Sequence, residues 1–274
     1  MTYEEIVRKT SDTLIQASTV FRPDQEEAYR MAVKKERNPN AKWVLESILE
    51  NAAVAEKTKF PLCDDTGIPH VFLEVGDRAS LPGGFQSAIR EGIADGLRRL
   101  PGRPMGVKGG DAERLSQCCG LSEDSGAVAL APIQIRELPD SDRVRLTVIM
   151  MGGGPEIRGK TLRVFHKHSA EVVIDEMVQW ATEGCDKLGC LPAVLGFGIG
   201  RSNLEAASLS LEAMPRRLLP PVPDGTGNHK TGQRERDRPA GAGRQDDGAC
   251  HFPEGWTPES QRRAHRFHAG RLLL

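Results

Sequence analysis

The chain has 274 residues, of which 38% are hydrophobic and 5% aromatic, and its formal net charge is −1 at pH 7. This length allows one large or two small domains, and the near-neutral charge gives no reason to expect nucleic acid or an anionic membrane as a partner. No run of about 18 apolar residues predicts a membrane span. The charged, amphipathic start "MTYEEIVRKTSDTL" lacks the apolar core of a signal peptide, so we expect a cytoplasmic protein. In that compartment, six cysteines favour metal binding or catalysis over disulfides.

The apolar periodicity predicts a helical N-terminal portion followed by mixed strands and helices. Three helices are expected first, at residues 3–20, 24–35 and 41–58. The pattern then predicts, in order, a strand (70–76), a helix (83–100), a strand that runs into a glycine turn (142–156), a helix (168–185), a short apolar strand (191–200) and a helix that begins at the Ser202 cap. This order indicates an α/β or α+β fold and does not separate the two.

The periodic patterns stop at Pro215. Residues 215–274 contain ten Arg but one Lys, one Val and no Ile, and seven of the eighteen Pro. We therefore assign residues 1–214 to a domain and expect 215–274 not to form a native fold. Two other interpretations of the tail are a disordered linker and a basic segment that binds acidic partners.

Two loops carry residues that suit a chemical site. "PLCDDTG" places Cys63 beside two carboxylates, just ahead of a strand, although a buried structural cysteine would give the same pattern. "MGGGPE" follows a strand, and its consecutive glycines can direct backbone N–H groups at an anion, although a flexible turn is the alternative.

A third loop, "GCDKLGCLPAVLGFGIG", combines cysteines with glycines at every second position. This glycine spacing differs from the G-x-G-x-x-G of dinucleotide-binding loops. The chain has no C-x-x-C pair, and the adjacent Cys118 and Cys119 are poorly placed to share a tetrahedral zinc ion. The separated Cys63 and Cys190 suit a cluster assembled from distant loops better than a zinc finger.

Together, the three loops resemble the iron–sulfur hydro-lyases, the family of class I fumarate hydratase and the α subunit of L(+)-tartrate dehydratase. The family's Cys-Gln-Asp-Thr-Gly turn corresponds to residues 63–67, its glycine run to 152–156, and its Cys-Pro-Pro-x-x-x-Gly-x-Gly-Ile-Gly segment to the stretch that starts at Cys190. The resemblance covers residues 1–214 in order. Asp64 stands where the family usually has Gln.

The resemblance implies a 4Fe-4S cluster that three cysteines hold, with Cys63 and Cys190 as two of them and an open iron as Lewis acid. It implies that Asp65 is catalytic, that Arg103 clamps a substrate carboxylate, and that the substrate also contacts Asp64 and the backbone of Gly152, Gly153 and Gly154. The implied reaction is the reversible hydration of fumarate to malate, or the dehydration of a related hydroxy-diacid such as tartrate.

The resemblance also implies a hetero-oligomer. In the family, the catalytic base and further substrate arginines come from a β subunit, so we expect this chain alone to be inactive. The third cluster cysteine follows a G-x-G-P-x-G-L-G-G-x-T-T segment in the family, and residues 215–274 do not contain that segment as read.

The genetic code permits this segment in a second reading frame of the same codons. The codons of residues 236–259 permit "GIGPLGLGGKTTALATFLKVGPQ" when read from the second base, and the codons that follow permit "SGVRIVSMRAGCC". We therefore predict a single frameshift close to Met214, which would make Cys250 an accident of the reading frame. Two other functions stay open: a truncated product without cluster or activity, and a zinc or redox protein that uses the same cysteines.

Overall fold

A computed structural model describes residues 1–103, 105–128, 130–156, 159–187 and 192–216. Its helices and strands, in chain order, are α1 (Tyr3–Thr19), α2 (Pro23–Lys35), α3 (Pro39–Thr58), β1 (Ile68–Gly76), α4 (Phe85–Arg99), α5 (Asp111–Ser116), a 3₁₀ turn (Ser125–Ala127), β2 (Gln134–Leu138), β3 (Val144–Met151), α6 (Gly153–Glu156), α7 (Ala170–Cys185) and α8 (Asn203–Ala213). The predicted α/β class, with helices first and a mixed region after them, is confirmed.

The three strands form one mixed sheet in the order β2-β1-β3. The central strand β1 runs parallel to β2 and antiparallel to β3, in a register that pairs Ile68 with Met151 and Val75 with Val144. The strands expected at 70–76 and after 142 correspond to β1 and β3. The short strand β2 was not predicted, because its sequence "QIREL" offers little apolar alternation and Ile135 is 48% exposed.

The main core lies where α1 and α4 pack on the sheet. Its most buried side chains include Leu14 of α1, Val71 of β1 and Ile89 of α4, each at most 2% exposed. The helix expected at 83–100 corresponds to α4, and its apolar side chains Ile93 and Leu97 are buried in the same cluster as Ile89. The core therefore depends on three elements whose periodicity the sequence shows clearly.

The short strand expected at 191–200 is wrong for residues 192–200, which form no strand. The glycines of this run pack directly on α8 instead. A Cβ atom added to Gly198 would lie 2.1 Å from the carbonyl oxygen of Ala206, and one on Gly200 would lie 2.5 Å from the Ala206 nitrogen. The bare glycine face is occupied by a helix backbone, and among the described residues of this run only Val194 makes a single bridge contact.

The expected Ser202 cap is present at the start of α8. The Ser202 hydroxyl accepts a hydrogen bond from the Glu205 N–H at 3.2 Å, but the Glu205 carboxylate accepts from the Arg201 N–H and does not return to Ser202. Of the two reciprocal bonds of a capping box, only the first is formed.

The start of the tail contacts the domain. The Arg22 guanidinium, at the start of α2, donates to the carbonyl oxygens of Pro215 and Arg216 at 2.8 and 2.9 Å. Residues 217–274 lie outside the described residues, so the division at Met214 and the expectation for the tail stay predictions. Among the helices that the structure describes, none has the length and apolarity needed to cross a membrane.

Candidate functional site

The register of the sheet brings two of the predicted loops together. Because β1 begins at Ile68 and this residue pairs with Met151 near the end of antiparallel β3, the residues before β1 and after β3 meet at one edge. The loop 63–67 therefore lies against the loop 152–154, although nearly 90 residues separate Asp65 from Gly154 along the chain.

Gly67 permits this close approach. Its backbone has a φ of 93°, in the left-handed region that favours glycine. An added Cβ would also lie only 2.6 Å from the carbonyl oxygen of Met151 and 3.0 Å from the nitrogen of Gly152. A side chain at this position would push the two loops apart.

Asp65 faces the glycine run. Its Oδ2 lies 3.5 Å from the N–H of Gly154, and both carboxylate oxygens lie 3.9 Å from the place that a Cβ on Gly153 would take. Its Oδ1 is buried and has no hydrogen-bond partner among the described residues. A buried carboxylate oxygen without a partner is costly, so Asp65 is a candidate ligand-binding group.

Thr66 links this turn to the loop that carries Arg103. The Thr66 side chain is 7% exposed, and its hydroxyl oxygen accepts a hydrogen bond from the Arg103 N–H at 3.1 Å. The neighbouring Gly102 leaves room for it, since a Cβ there would lie 2.4 Å from the Thr66 oxygen. Thr66 could not be predicted from the sequence, because a threonine in a turn gives no sign of a partner 37 residues away.

Arg103 lies over the same edge of the sheet. Its Nη1 is 3.4 Å from the Asp64 Oδ2, and its Nη2 is 3.7 Å from the sulfur of Met105. The guanidinium is about half exposed and the Asp64 side chain is 84% exposed, so solvent screens this ion pair. Arg103 is consequently open to exchange Asp64 for another anion.

Cys63 stands at the outer side of the turn as an exposed, free thiol. The preceding residue fixes its position, because the Leu62 N–H donates to the Ser18 carbonyl at 2.9 Å and the Leu62 carbonyl accepts from the Asn51 side chain at 2.8 Å. The end of α1 and the middle of α3 thus hold the cysteine-bearing turn in place.

The structure therefore brings together Cys63, Asp64, Asp65, Arg103 and the glycine run 152–154. Cys190 falls outside the described residues, so its place relative to Cys63 stays a prediction. Within the described ranges, no three His, Cys, Asp or Glu side chains group closely enough to hold a metal ion.

A separate cavity of about 450 Å³ lies between α1, α4 and the sheet. Its lining includes Ile6, Leu73 and Leu146, and it shares no residue with the site at Asp65. We therefore place the candidate chemistry at the sheet edge and not in this cavity.

Comparison with known proteins relates the whole arrangement to one family. The family model described as "Fumarate hydratase (Fumerase)" matches residues 7–236, which extends beyond Met214. An L(+)-tartrate dehydratase subunit alpha of Methanocaldococcus jannaschii, whose name marks the assignment as provisional, is 27% identical over 216 residues. This match covers 77% of the chain and 73% of that relative.

The L(+)-tartrate dehydratase subunit alpha of Escherichia coli K12 is 28% identical over 186 residues, and the same figures hold for the protein of that name from Shigella boydii. These matches cover 67% of the chain and 58% of each relative. The chain thus spans little more than half the length of these two relatives. Since the family model covers most of the sequence, the chain belongs to the fumarate hydratase (fumerase) family.

Proposed function

We propose that this chain is the α-type subunit of an iron–sulfur hydro-lyase that adds water to fumarate or removes it from a related hydroxy-diacid such as tartrate. The observation that carries this proposal is the meeting of Asp65, Arg103 and the glycine run at one sheet edge. A guanidinium, a carboxylate with a free buried oxygen and backbone N–H groups are the groups that binding and protonating a dicarboxylate require.

Cys63 fits a cluster ligand. Iron–sulfur clusters are held by cysteine thiolates, and the Cys63 thiol is exposed and free, one residue before the Asp64 that pairs with Arg103. We propose Cys63 and Cys190 as two ligands of a 4Fe-4S cluster. When bound, such a cluster supplies an iron with an open coordination position, which acts as a Lewis acid toward a carboxylate or hydroxyl oxygen.

Arg103 binds one carboxylate of the substrate. A planar guanidinium accommodates a carboxylate with two parallel hydrogen bonds, and the only anion that the structure places near it is the exposed Asp64, among the described residues. The substrate carboxylate replaces Asp64 at Arg103. Asp64 is then available to accept a hydrogen bond from a substrate hydroxyl. The glutamine that the family usually has at this position could also form a hydrogen bond with that hydroxyl.

Asp65 holds or moves a proton. Its unpartnered Oδ1 can accept one proton or one hydrogen bond, while Oδ2 remains near the Gly154 N–H. The backbone N–H groups of the glycine run orient the second polar end of the substrate. Thr66 keeps Arg103 at a fixed distance from this carboxylate.

We infer that activity needs a partner. The matched relatives are named as subunits alpha, and the resemblance assigns the catalytic base and further arginines to a β subunit. A hetero-oligomer with such a subunit would complete the site at the exposed side of Arg103 and Cys63.

We also propose a single frameshift close to Met214. The second-frame segment with the glycine motif begins at residue 236, and the family match in the given frame continues to that residue. Sequencing of the locus tests this directly. A second frame that encodes "GIGPLGLGGKTT" followed by a cysteine is the expected result, and any other string in that frame overturns the proposal.

Metal analysis tests the function. We expect the chain, purified without oxygen, to contain iron and sulfide in equal amounts, to lose both in Cys63→Ser, and to keep both in Cys185→Ser. An iron-free chain in every preparation would support the truncated, inactive product, and zinc without iron would support a zinc protein.

Enzyme assays test the role of Arg103. With a β subunit co-produced, Arg103→Gln should raise the KM for the dicarboxylate by about tenfold or more, since a charge-assisted pair is lost. Fumarate hydration and tartrate dehydration measured side by side identify the substrate. An unchanged KM for both would exclude Arg103 from substrate binding.

A further inference from the structure

Two adjacent thiols lie outside the proposed hydro-lyase site. Cys118 and Cys119 follow α5, both are exposed and free, and their sulfur atoms are 3.9 Å apart. No step of the proposed hydro-lyase reaction uses them. The inference drawn from them is independent of the proposed function.

The turn that carries the pair is held in one shape. Gln117 ends α5 in the left-handed region with a φ of 55°, and Gly120 follows the pair with a φ of 68°. The Gly120 N–H donates to the Gln117 carbonyl at 3.1 Å, which closes the turn around the two cysteines. Their side chains are thus presented together to solvent.

Backbone hydrogen bonds join the two ends of the loop that carries the cysteines, residues 106–108 and 120–122. Val107 and Leu121 form an isolated antiparallel bridge, and the Lys108 N–H donates to the Gly120 carbonyl at 2.9 Å. The Ser122 N–H donates to the Gly106 carbonyl at 2.6 Å. These bonds keep the two thiols in the turn from separating.

The Cys118 thiol has a hydroxyl partner in addition to the Cys119 thiol. Hydrogen bonding from the Ser116 side chain lowers the pKa of the Cys118 thiol below its ordinary value, and the Cys119 thiol contributes in the same direction. The Ser116 hydroxyl also lies 3.2 Å from the carbonyl oxygens of Ala112 and Glu113, so its single proton supports the thiolate only when it turns toward Cys118. An exposed thiol with a lowered pKa and a second thiol beside it are the properties of redox-responsive cysteines.

We propose that Cys118 and Cys119 form a redox-modification site for low-molecular-weight disulfides, in which Cys118 attacks and Cys119 resolves. The Cys118 thiolate attacks one sulfur of oxidised glutathione, forms a mixed disulfide and releases one glutathione thiolate. The Cys119 thiolate then attacks the Cys118 sulfur, which breaks the mixed disulfide and releases the second glutathione. The two cysteines lose two electrons and two protons in total, and oxidised glutathione gains them.

Ring closure needs a distortion of the turn backbone as well as side-chain rotation, because Cα atoms of adjacent residues are about 3.8 Å apart and disulfides usually span about 4.4 Å or more. The two sulfur atoms must approach from 3.9 Å to about 2.05 Å, the length of a disulfide bond. Both side chains are exposed and no core side chain stands between them. The movement is therefore confined to the turn.

Mass spectrometry of the full chain after treatment with oxidised glutathione tests the proposal. The tryptic peptide between Arg114 and Arg136 contains both cysteines and no other. We expect this peptide to lose two hydrogens in the wild-type chain, and to retain one glutathione on Cys118 in Cys119→Ser. In Cys118→Ser, glutathione should add to Cys119 about tenfold more slowly, because the activated thiol is gone.

Cys185, which is half-buried at the end of α7, serves as the internal reference for thiol reactivity. A wild-type peptide that stays reduced while Cys63 reacts would overturn the proposal. Equal modification rates in the two single variants would also overturn it, as would a wild-type chain that accumulates glutathione without closing the ring. Coincident circular dichroism spectra of the serine variants and the wild type establish that the fold is retained.

Discussion

Glycine lets two backbone segments meet at several places in this molecule, and two of these contacts differ in the spacing of their glycines. On α4, Gly92 and Gly96 lie four residues apart and face α1, where a Cβ on Gly92 would be 2.5 Å from the Val7 carbonyl oxygen. In the run before α8, the glycines alternate, and a Cβ on Gly198 would be 2.1 Å from the Ala206 carbonyl oxygen. Spacings of four and two are the periods of a helix and of an extended chain.

The two contacts also differ in burial. Gly92 is buried and α1 packs on the sheet behind it, so neither helix can withdraw without opening the core. Gly198 is half-buried and its neighbours Ile199 and Gly200 are exposed, so the run can shift toward solvent. Equal crowding should therefore cost more stability at α1 and α4 than at α8.

Gly92→Ala should have the largest effect. The added methyl meets the backbone of Val7 and the Thr10 side chain, and such overpacking costs about 3 kcal/mol. The helix propensity of Ala offsets about 1 kcal/mol, so we expect a net loss of about 2 kcal/mol in the free energy of unfolding. Urea unfolding measures this loss. Gly83→Ala is the matched control, since nothing lies within 4 Å of its Cβ position; a loss equal to that of the control would contradict the contact.

Gly198→Ala should cost about 1 kcal/mol, because the run can relax away from α8. The same urea titration measures it against Gly184→Ala, a half-buried glycine of α7 with open space at its Cβ position. The control should be neutral or stabilising, since it replaces glycine within a helix. If Gly198→Ala lowers the free energy of unfolding more than Gly92→Ala does, the contact with α8 is the less tolerant of the two, contrary to our expectation.

These two contacts show what sequence patterns can and cannot predict. The stripe of Ile89, Ile93 and Leu97 gave α4 its correct face, because burial of apolar residues follows the helical period. The alternating run was interpreted as a strand since apolar residues surround its glycines. A missing side chain does not reveal whether a strand or a helix fills the space it leaves, and here α8 does.

The candidate site shows the same limit. The turn at Cys63 and the glycine run were both singled out as candidate functional loops from their residue types, and the family resemblance supplied their expected roles. Their contact was not predicted, since it follows from the pairing of Ile68 with Met151. Thr66 was missed for a related reason: its role depends on the backbone of a residue in another loop.

Ser210→Ala tests the contact between the glycine run and α8, and it should lower the free energy of unfolding by less than Gly198→Ala does. The Ser210 hydroxyl donates to the Gly196 carbonyl at 3.0 Å, and loss of such a bond costs about 1 kcal/mol. The better helix propensity of Ala offsets about half of this, so the free energy of unfolding should fall by about 0.5 kcal/mol. Ser208→Ala, two residues earlier on α8 and without a described side-chain hydrogen bond, should be stabilising. If both variants behave alike, the hydroxyl does not hold the run.

The smallest effect concerns the far side of α4, and it depends on pH. Arg98 donates two hydrogen bonds of 2.9 Å to Asp124, and this pairing, followed by the Gly126 N–H, lowers the pKa of the Asp124 carboxyl below its ordinary value. Since the pKa is lower in the folded state, the pair stabilises the fold above the pKa of the unfolded chain, about 3.9. This contribution is lost as the pH falls through the folded pKa.

Asp124→Asn should therefore make the thermal midpoint of unfolding less dependent on pH in the acid range. Between about pH 5 and pH 2, the thermal midpoint of the wild type should fall more steeply than that of the variant. The matched control is Asp142→Asn, an exposed carboxylate without an ion pair among the described residues, and its profile should follow the wild type. Parallel profiles for all three proteins would mean that the Arg98–Asp124 pair adds nothing to the stability of the fold in this pH range.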